Sequence, residues 1–196
     1  MPVSIGFGFN FFSGESSDSA ENQAMTVEGT LTVNEIKNAQ NLVPGDKICN
    51  GVTMNITSSA VSLLRVKVDV YCADSTTPET NIEPIKNTNA DWLKGSDGYY
   101  YYANGVKNGN TVTLASDGIY FNAAEDEADN KDEDSGINMN KYQGKKIKVV
   151  ANAELVQAKH SVFAKKWGLN QDNDGNIYTK LKQISDDQEK SDAQGQ

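Results

Sequence analysis

Histidine occurs once, arginine once and cysteine twice in 196 residues. These shortages exclude a good deal. One His and two Cys cannot fill a four-ligand His/Cys zinc site, and zinc hydrolases or triads that need two or more His go with it. No run of about 18 apolar residues occurs, so no segment reads as a membrane-spanning helix. A formal net charge of −9 argues against nucleic acid, whose phosphates are bound by clustered Lys and Arg that displace counterions. After Met1-Pro2 there is no basic stretch, no long apolar core and no A-x-A cleavage pattern. That leaves a cytosolic protein, or a mature secreted form with an added initiator Met. Two thiols suit either compartment. The reading is therefore not an enzyme: no catalytic residue, cofactor or metal ligand is assigned.

What is present reads as β. In residues 3–12 (VSIGFGFNFF), Val3, Ile5, Phe7, Phe9 and Phe11 alternate with Ser4, Gly6, Gly8 and Asn10, the period of a strand with one greasy face. Residues 13–24 (SGESSDSAENQA) are Ser-rich and acidic without apolar period, as in a flexible linker. A greasy strand on such a tether needs a groove to enter. Alternation resumes at 25–33, at Val52, Met54 and Ile56, and at Leu64, Val66, Val68 and Val70 against Arg65, Lys67, Asp69 and Tyr71. Residues 99–106, 111–114, 118–122 and 145–157 continue it. Pro44-Gly45 and the Asn-Gly pairs at 50–51, 104–105 and 108–109 mark turns.

Helix is scarce: a short one is expected around 89–94, a turn at 34–41 and another helix at 158–167 closed by Gly168. The fold expected is mainly β, a jelly-roll-like antiparallel β-sandwich with one or two short helices and a detached N-terminal donor strand. Its divisions are residues 1–12 (donor strand), 13–24 (acidic linker), 25–181 (sandwich) and 182–196 (disordered polar tail).

An ordered set of segments carries a family resemblance. It comprises Leu42-Val43-Pro44-Gly45-Asp46-Lys47, the Leu64-Arg65-Val66-Lys67-Val68 strand, and Asp91-Trp92 followed by Asp97-Gly98-Tyr99-Tyr100-Tyr101-Tyr102. Tyr142-Gln143-Gly144-Lys145, Ala153-Glu154-Leu155-Val156-Gln157-Ala158 and Trp167-Gly168 complete it. Over residues 25–168 the chain resembles the TasA/camelysin family of secreted bacterial biofilm-matrix proteins, and in particular clostridial BsaA-type members. The resemblance implies a secreted jelly-roll subunit at the cell surface or in the extracellular matrix. It also implies homopolymeric fibres built by passing an N-terminal strand to the next subunit, alongside other matrix components. The run Gly6-Phe7-Gly8-Phe9-Asn10-Phe11-Phe12 departs from the aromatic–Asp start of that family.

Each feature has a plainer counterpart. Residues 3–11 can pack within their own domain, or fill a neighbour's groove with the five side chains Val3, Ile5, Phe7, Phe9 and Phe11. At roughly 1.5–3 kcal/mol per buried side chain, such a strand gains on the order of 10 kcal/mol before ordering costs. Passed head to tail, it propagates a filament. Cys49 and Cys72 are a candidate disulfide if residues 48–56 pair with 64–70 as a hairpin and a bulge near Asn50-Gly51 aligns them; the alternative is two thiols in the core. Asn170-x-Asp172-x-Asp174-Gly175 looks like the opening of a calcium loop, but Leu181 stands where the closing Glu belongs, so an Asp-Gly turn is preferred. His160 has no H-e-x-x-H partner, which removes a metalloprotease. Tyr99 to Tyr102 suggest the second functional class, a monomeric adhesin or carbohydrate-binding module, or else a strand with alternating core and surface rings.

The acidity is local. Residues 13–24 carry −3, residues 125–134 carry −6 and residues 185–196 carry −3, which leaves +3 for the remainder. A near-neutral body can stack without strong self-repulsion while acidic segments keep it soluble.

Overall fold

The computed structural model describes residues 3–11, 27–33, 45–72, 75–122 and 147–194. The period-two segments become strands β1 (Val3–Phe11), β2 (Val27–Val33), β3 (Lys47–Cys49), β4 (Val52–Ser58) and β5 (Ser62–Cys72). The later ones are β6 (Trp92–Lys94), β7 (Tyr100–Tyr102), β8 (Thr111–Leu114), β9 (Ile119–Tyr120) and β10 (Ile147–Gln157), followed by helices α1 (Val162–Trp167) and α2 (Gln171–Gln194). One sheet has the order β1-β10-β5-β7-β6, a second is β2-β4-β8, and β3 pairs with β9. The chain is mainly β and its ladders are antiparallel, except that β1 runs parallel to β10.

The alternation fixes which face each strand buries. Val52, Met54 and Ile56 of β4 share one core with Leu64, Val66, Val68 and Val70 of β5 and with Ile147, Val149, Ala151, Ala153 and Leu155 of β10. Behind the first sheet lies a second cluster. Leu63, Tyr101 and Val156 there are covered by Phe163 and Trp167 of α1 and by Ile177 and Leu181 of α2. β5 is thus buried on both faces from Ser62 to Val66 and on one face from there to Cys72. A sheet covered on both sides reads as a continuous apolar run, and one covered on a single side alternates.

Several expectations change. Strand β4 does not form a hairpin with β5; it pairs with β2 and β8, while β5 pairs with β10 and β7. The Ser58-Ser59-Ala60 turn instead carries the chain from one sheet to the other. Ser58 Oγ donates to the Ala60 carbonyl at 2.7 Å and lies 2.9 Å from Ser62 Oγ, tying the crossing together. The Asn50-Gly51 turn needs its glycine: φ is +112°, and a Cβ there would collide with the Leu114 and Ala115 carbonyls.

No helix forms at 89–94. Asn89 Oδ1 accepts from the Asp91 amide at 3.0 Å, and β6 then pairs with β7 as a hairpin. The helix expected over 158–167 starts later, at Val162, because His160 and Ser161 are left-handed (φ 51° and 49°); it ends at Gly168, φ 71°, as expected. The tail expected to be disordered from 182 is helical through Gln194. Its anchors are polar. Ser185 Oγ accepts from the Ser161 amide, Glu189 Oε1 accepts from the His160 amide at 2.6 Å, and Asp192 pairs with Lys159. Ahead of these anchors only Ile177, Leu181 and Ile184 give α2 an apolar stripe.

The linker 13–24, the 34–41 turn, Tyr142 to Lys145 and the acidic loop 125–134 lie outside the described residues.

Candidate functional site

The first strand does not stand detached: it lies along β10 at the edge of the five-stranded sheet. The parallel register pairs Val3 with Ile147, Ile5 with Val149, Phe7 with Ala151, Phe9 with Ala153 and Phe11 with Leu155. The five β10 residues are at most 7% exposed. Paired residues of adjacent strands share a sheet face, so all five apolar positions of β1 fall on the face that carries the main core. On the opposite face the register sets Ser4 beside Lys148, Gly6 beside Val150, Gly8 beside Asn152 and Asn10 beside Glu154. Among the described residues, β1 has no ladder other than that with β10. If β1 left, an eleven-residue edge backed by apolar core would face water, the kind of edge that recruits another strand.

The other side of β10 is fastened by charge. Glu154 pairs in register with Arg65 of β5. The Glu154 carboxylate accepts from Arg65 Nε at 3.0 Å and Nη2 at 2.8 Å, both on Oε2, and its Oε1 accepts from the Tyr99 hydroxyl at 2.9 Å. Arg65 Nη1 donates to the Tyr101 hydroxyl at 3.2 Å, and that hydroxyl donates to Asp97 at 2.6 Å. The guanidinium lies 3.9 Å from the Tyr99 ring centroid and 4.9 Å from that of Trp167. Opposite charge and ring faces together make this buried arginine tolerable in the interior. A side chain at Gly95 would meet Asp97 Oδ1 at 2.5 Å and the Tyr101 ring at 2.8 Å, so this cluster also dictates a glycine. Burial, and then the bond to Glu154, push the Tyr99 phenol up to about 12. Burial and the bond to Asp97 raise Tyr101 further. All three guanidinium nitrogens are engaged, so the cluster acts as a tie between β5, β7, β10 and α1.

The remaining candidates resolve individually. Cys49 and Cys72 both sit in the main core, and no disulfide joins them. Cys49 pairs with Ile119 on β9 and Cys72 with Ile147 on β10, so the hairpin that would have opposed them does not exist. Burial raises the Cys49 thiol. The calcium-like segment caps α2: Asn170 Oδ1 accepts from the amides of Asp172 and Asn173, while Asp174 Oδ2 accepts from the Asn170 amide. This reciprocal arrangement satisfies the open N–H groups of a helix start. Among the described residues no group of three or more His, Cys, Asp or Glu could hold a metal ion, and no helix is long and apolar enough to cross a membrane. His160 lies in the left-handed turn before α1, with its side chain 69% exposed. The tyrosine run alternates across the sheet: Tyr101 faces the helices, Tyr100 joins the main core and Tyr102 leans on Trp92 at 5.1 Å. Tyr100 and Tyr101 are buried and Tyr99 stacks on Arg65, which leaves these rings no shared open face for a sugar.

The acceptor side of the edge was not singled out from the sequence. Its signal is the order Ile147, Val149, Ala151, Ala153, Leu155, where two small residues interrupt a row of large ones. Comparison with protein-family models, curated proteins and solved structures finds no match.

Proposed function

We propose that this chain is a secreted, non-enzymatic subunit of an extracellular matrix fibre. It polymerises by passing residues 3–11 to the β10 edge of a neighbouring, jelly-roll-like subunit. The observation that carries this reading is the parallel seat of β1 on β10, whose nine pairs set every apolar residue of β1 on the core face. Nothing in that seat requires the strand to come from the same chain. Fifteen residues separate β1 from β2, enough to span about 50 Å at about 3.3–3.6 Å per residue. Crossing between stacked sheets about 10 Å apart needs far fewer. A parallel ladder is also slightly weaker per residue than an antiparallel one, which suits a strand that must exchange. The resemblance to TasA/camelysin proteins points the same way.

Mixing two full-length variants tests the transfer. Chains carrying Ser4→Cys are combined with chains carrying Lys148→Cys, an exposed position that pairs with residue 4. Under mild oxidation, strand donation gives disulfide-linked heterodimers on non-reducing gels, and electron microscopy of the wild type shows fibres. If neither chain links to the other, β1 serves only its own domain and the proposal fails.

A further inference from the structure

We infer that Asn104 is a self-modification site: in the folded chain it deamidates by closing onto the nitrogen of Gly105, ahead of the other two Asn-Gly pairs. This is independent of fibre assembly and needs only water as co-reactant.

Asparagine is thermolabile, and a following glycine puts no Cβ in the way of the attacking nitrogen. The sequence has three such pairs, at 50–51, 104–105 and 108–109, and nothing local separates them. The fold does. Gly51 is buried, and its amide donates to the Cys49 sulfur. The Gly109 amide donates to the Ile56 carbonyl at 3.0 Å. Asn104 and Gly105 are both exposed. They lie between two bonds, from the Ala103 amide to the Asp91 carbonyl at 2.7 Å and from the Val106 amide to the Ser62 carbonyl at 2.8 Å. Neither of their own amides has a partner among the described residues. A nitrogen must shed its proton to attack, and a hydrogen bond that holds this proton opposes the step. The Asn104 side chain is tethered only by Nδ2 donating to Asp91 Oδ1 at 3.1 Å, an exposed bond that water can replace.

The chemistry balances without an oxidant. The Gly105 nitrogen, its proton lost to water or hydroxide, bonds to Asn104 Cγ. The Cγ–Nδ2 bond then breaks, and ammonia leaves with a proton taken up from solvent. One water opens the resulting cyclic succinimide at either carbonyl, giving aspartate or isoaspartate. Each product sets a new carboxylate beside Asp91. Isoaspartate also lengthens the main chain where there is no slack: a Cβ on Gly105 would stand 2.8 Å from Val61 Cγ1 and 3.2 Å from Ile184 Cγ2. Deamidation therefore loosens α2 where Ile184 packs on the second cluster.

The test ages the full-length protein in heavy-oxygen water at mildly alkaline pH, then unfolds and digests it with trypsin in ordinary water. Only deamidation of the intact chain takes up the heavy label. Cleavage after Lys47, Arg65, Lys94 and Lys107 puts Asn50, Asn104 and Asn108 on separate peptides, which mass spectrometry reads. Label at Asn104 is expected to accumulate at least about fivefold faster than at Asn50 or Asn108. In urea the three rates should fall within about twofold of one another, because the bonds that separate them are gone. A folded-state rate at Asn104 no higher than at either other pair overturns the inference. So does the same preference persisting in urea, which would make it a property of the local sequence. Hydrogen exchange reads the consequence. Amide protection around Ile184 should fall at least about threefold on ageing and hold in Asn104→Gln, whose longer side chain closes a ring far more slowly. Unchanged protection in aged, deamidated wild type overturns the link to α2.

Discussion

Strand β10 has two neighbours, and they hold it differently. Toward β5 it makes eleven antiparallel pairs, from Ile147 with Cys72 to Gln157 with Ser62. Both strands are flanked by core there, and the buried Arg65–Glu154 pair stitches them. Toward β1 it makes nine parallel pairs at a sheet edge, with a strand more than a hundred residues away in sequence. One ladder is a permanent part of the domain. The other is a seat at the sheet edge, which the proposed function makes exchangeable with the same segment of a second copy. On that proposal, a single strand belongs to the fold on one side and to an assembly on the other.

Three measurements break or sharpen this contrast. The largest effect is expected at the stitched ladder. Arg65→Met leaves Glu154 buried beside no cation and should cost about 3–5 kcal/mol in urea unfolding. Adding Glu154→Leu should recover much of that loss, because the stranded charge is then gone; a double variant no better than the single would show that ring stacking, not charge, holds the strands. Next, Val149→Ala on β10 should cost about 2 kcal/mol, whereas Ile5→Ala, its partner in register, should cost under about 1 kcal/mol in the monomer while still impairing fibres. Equal losses would make β1 as integral to the fold as β10. The smallest effect is alkaline. Tyr99 and Tyr100, on the β5 side, are both pushed up to about 12 by burial, followed by the bond to Glu154 for Tyr99 and by the charge of Glu83 for Tyr100. The unfolded chain releases these protons near 10, so the stabilisation is intact below that pH and is lost as pH rises toward 12. Part of the phenolate absorbance should therefore lag and appear together with loss of circular dichroism. If all eight tyrosines ionise near pH 10 with the fold intact, the cluster around Arg65 is open to water.

Much of the β architecture was legible because period-two burial is written locally. Val52, Met54 and Ile56, or Leu64 to Val70, announce their buried face without reference to any partner. Partnership itself was not legible. The hairpin expected between residues 48–56 and 64–70 failed because a Ser58–Ala60 turn serves equally to reverse a chain within a sheet or to pass it to another. The helix expected at 89–94 yielded to an Asn89 turn that commits Trp92 to pairing with Tyr102. Helix α2 was not expected at all: its apolar stripe is short, Ile177, Leu181 and Ile184, and beyond it Ser185, Glu189 and Asp192 act through residues 159–161.

For the site the division is similar. The strand proposed as donor stands in the sequence as five apolar residues at period two followed by an acidic stretch. The edge it lies along was not singled out: Ile147 to Leu155 read as one more alternating strand, and only the sheet order shows that β10 pairs with β1 on one side and β5 on the other. By itself the sequence determined that the chain is mainly β, which faces several of its strands bury, and that one apolar strand is separated from the next by an acidic stretch. Only the tertiary structure decided which strands adjoin and where that strand sits. Burial preference belongs to single side chains, whereas pairing depends on segments distant in sequence, whose meeting is set by the shape and charge of the whole core.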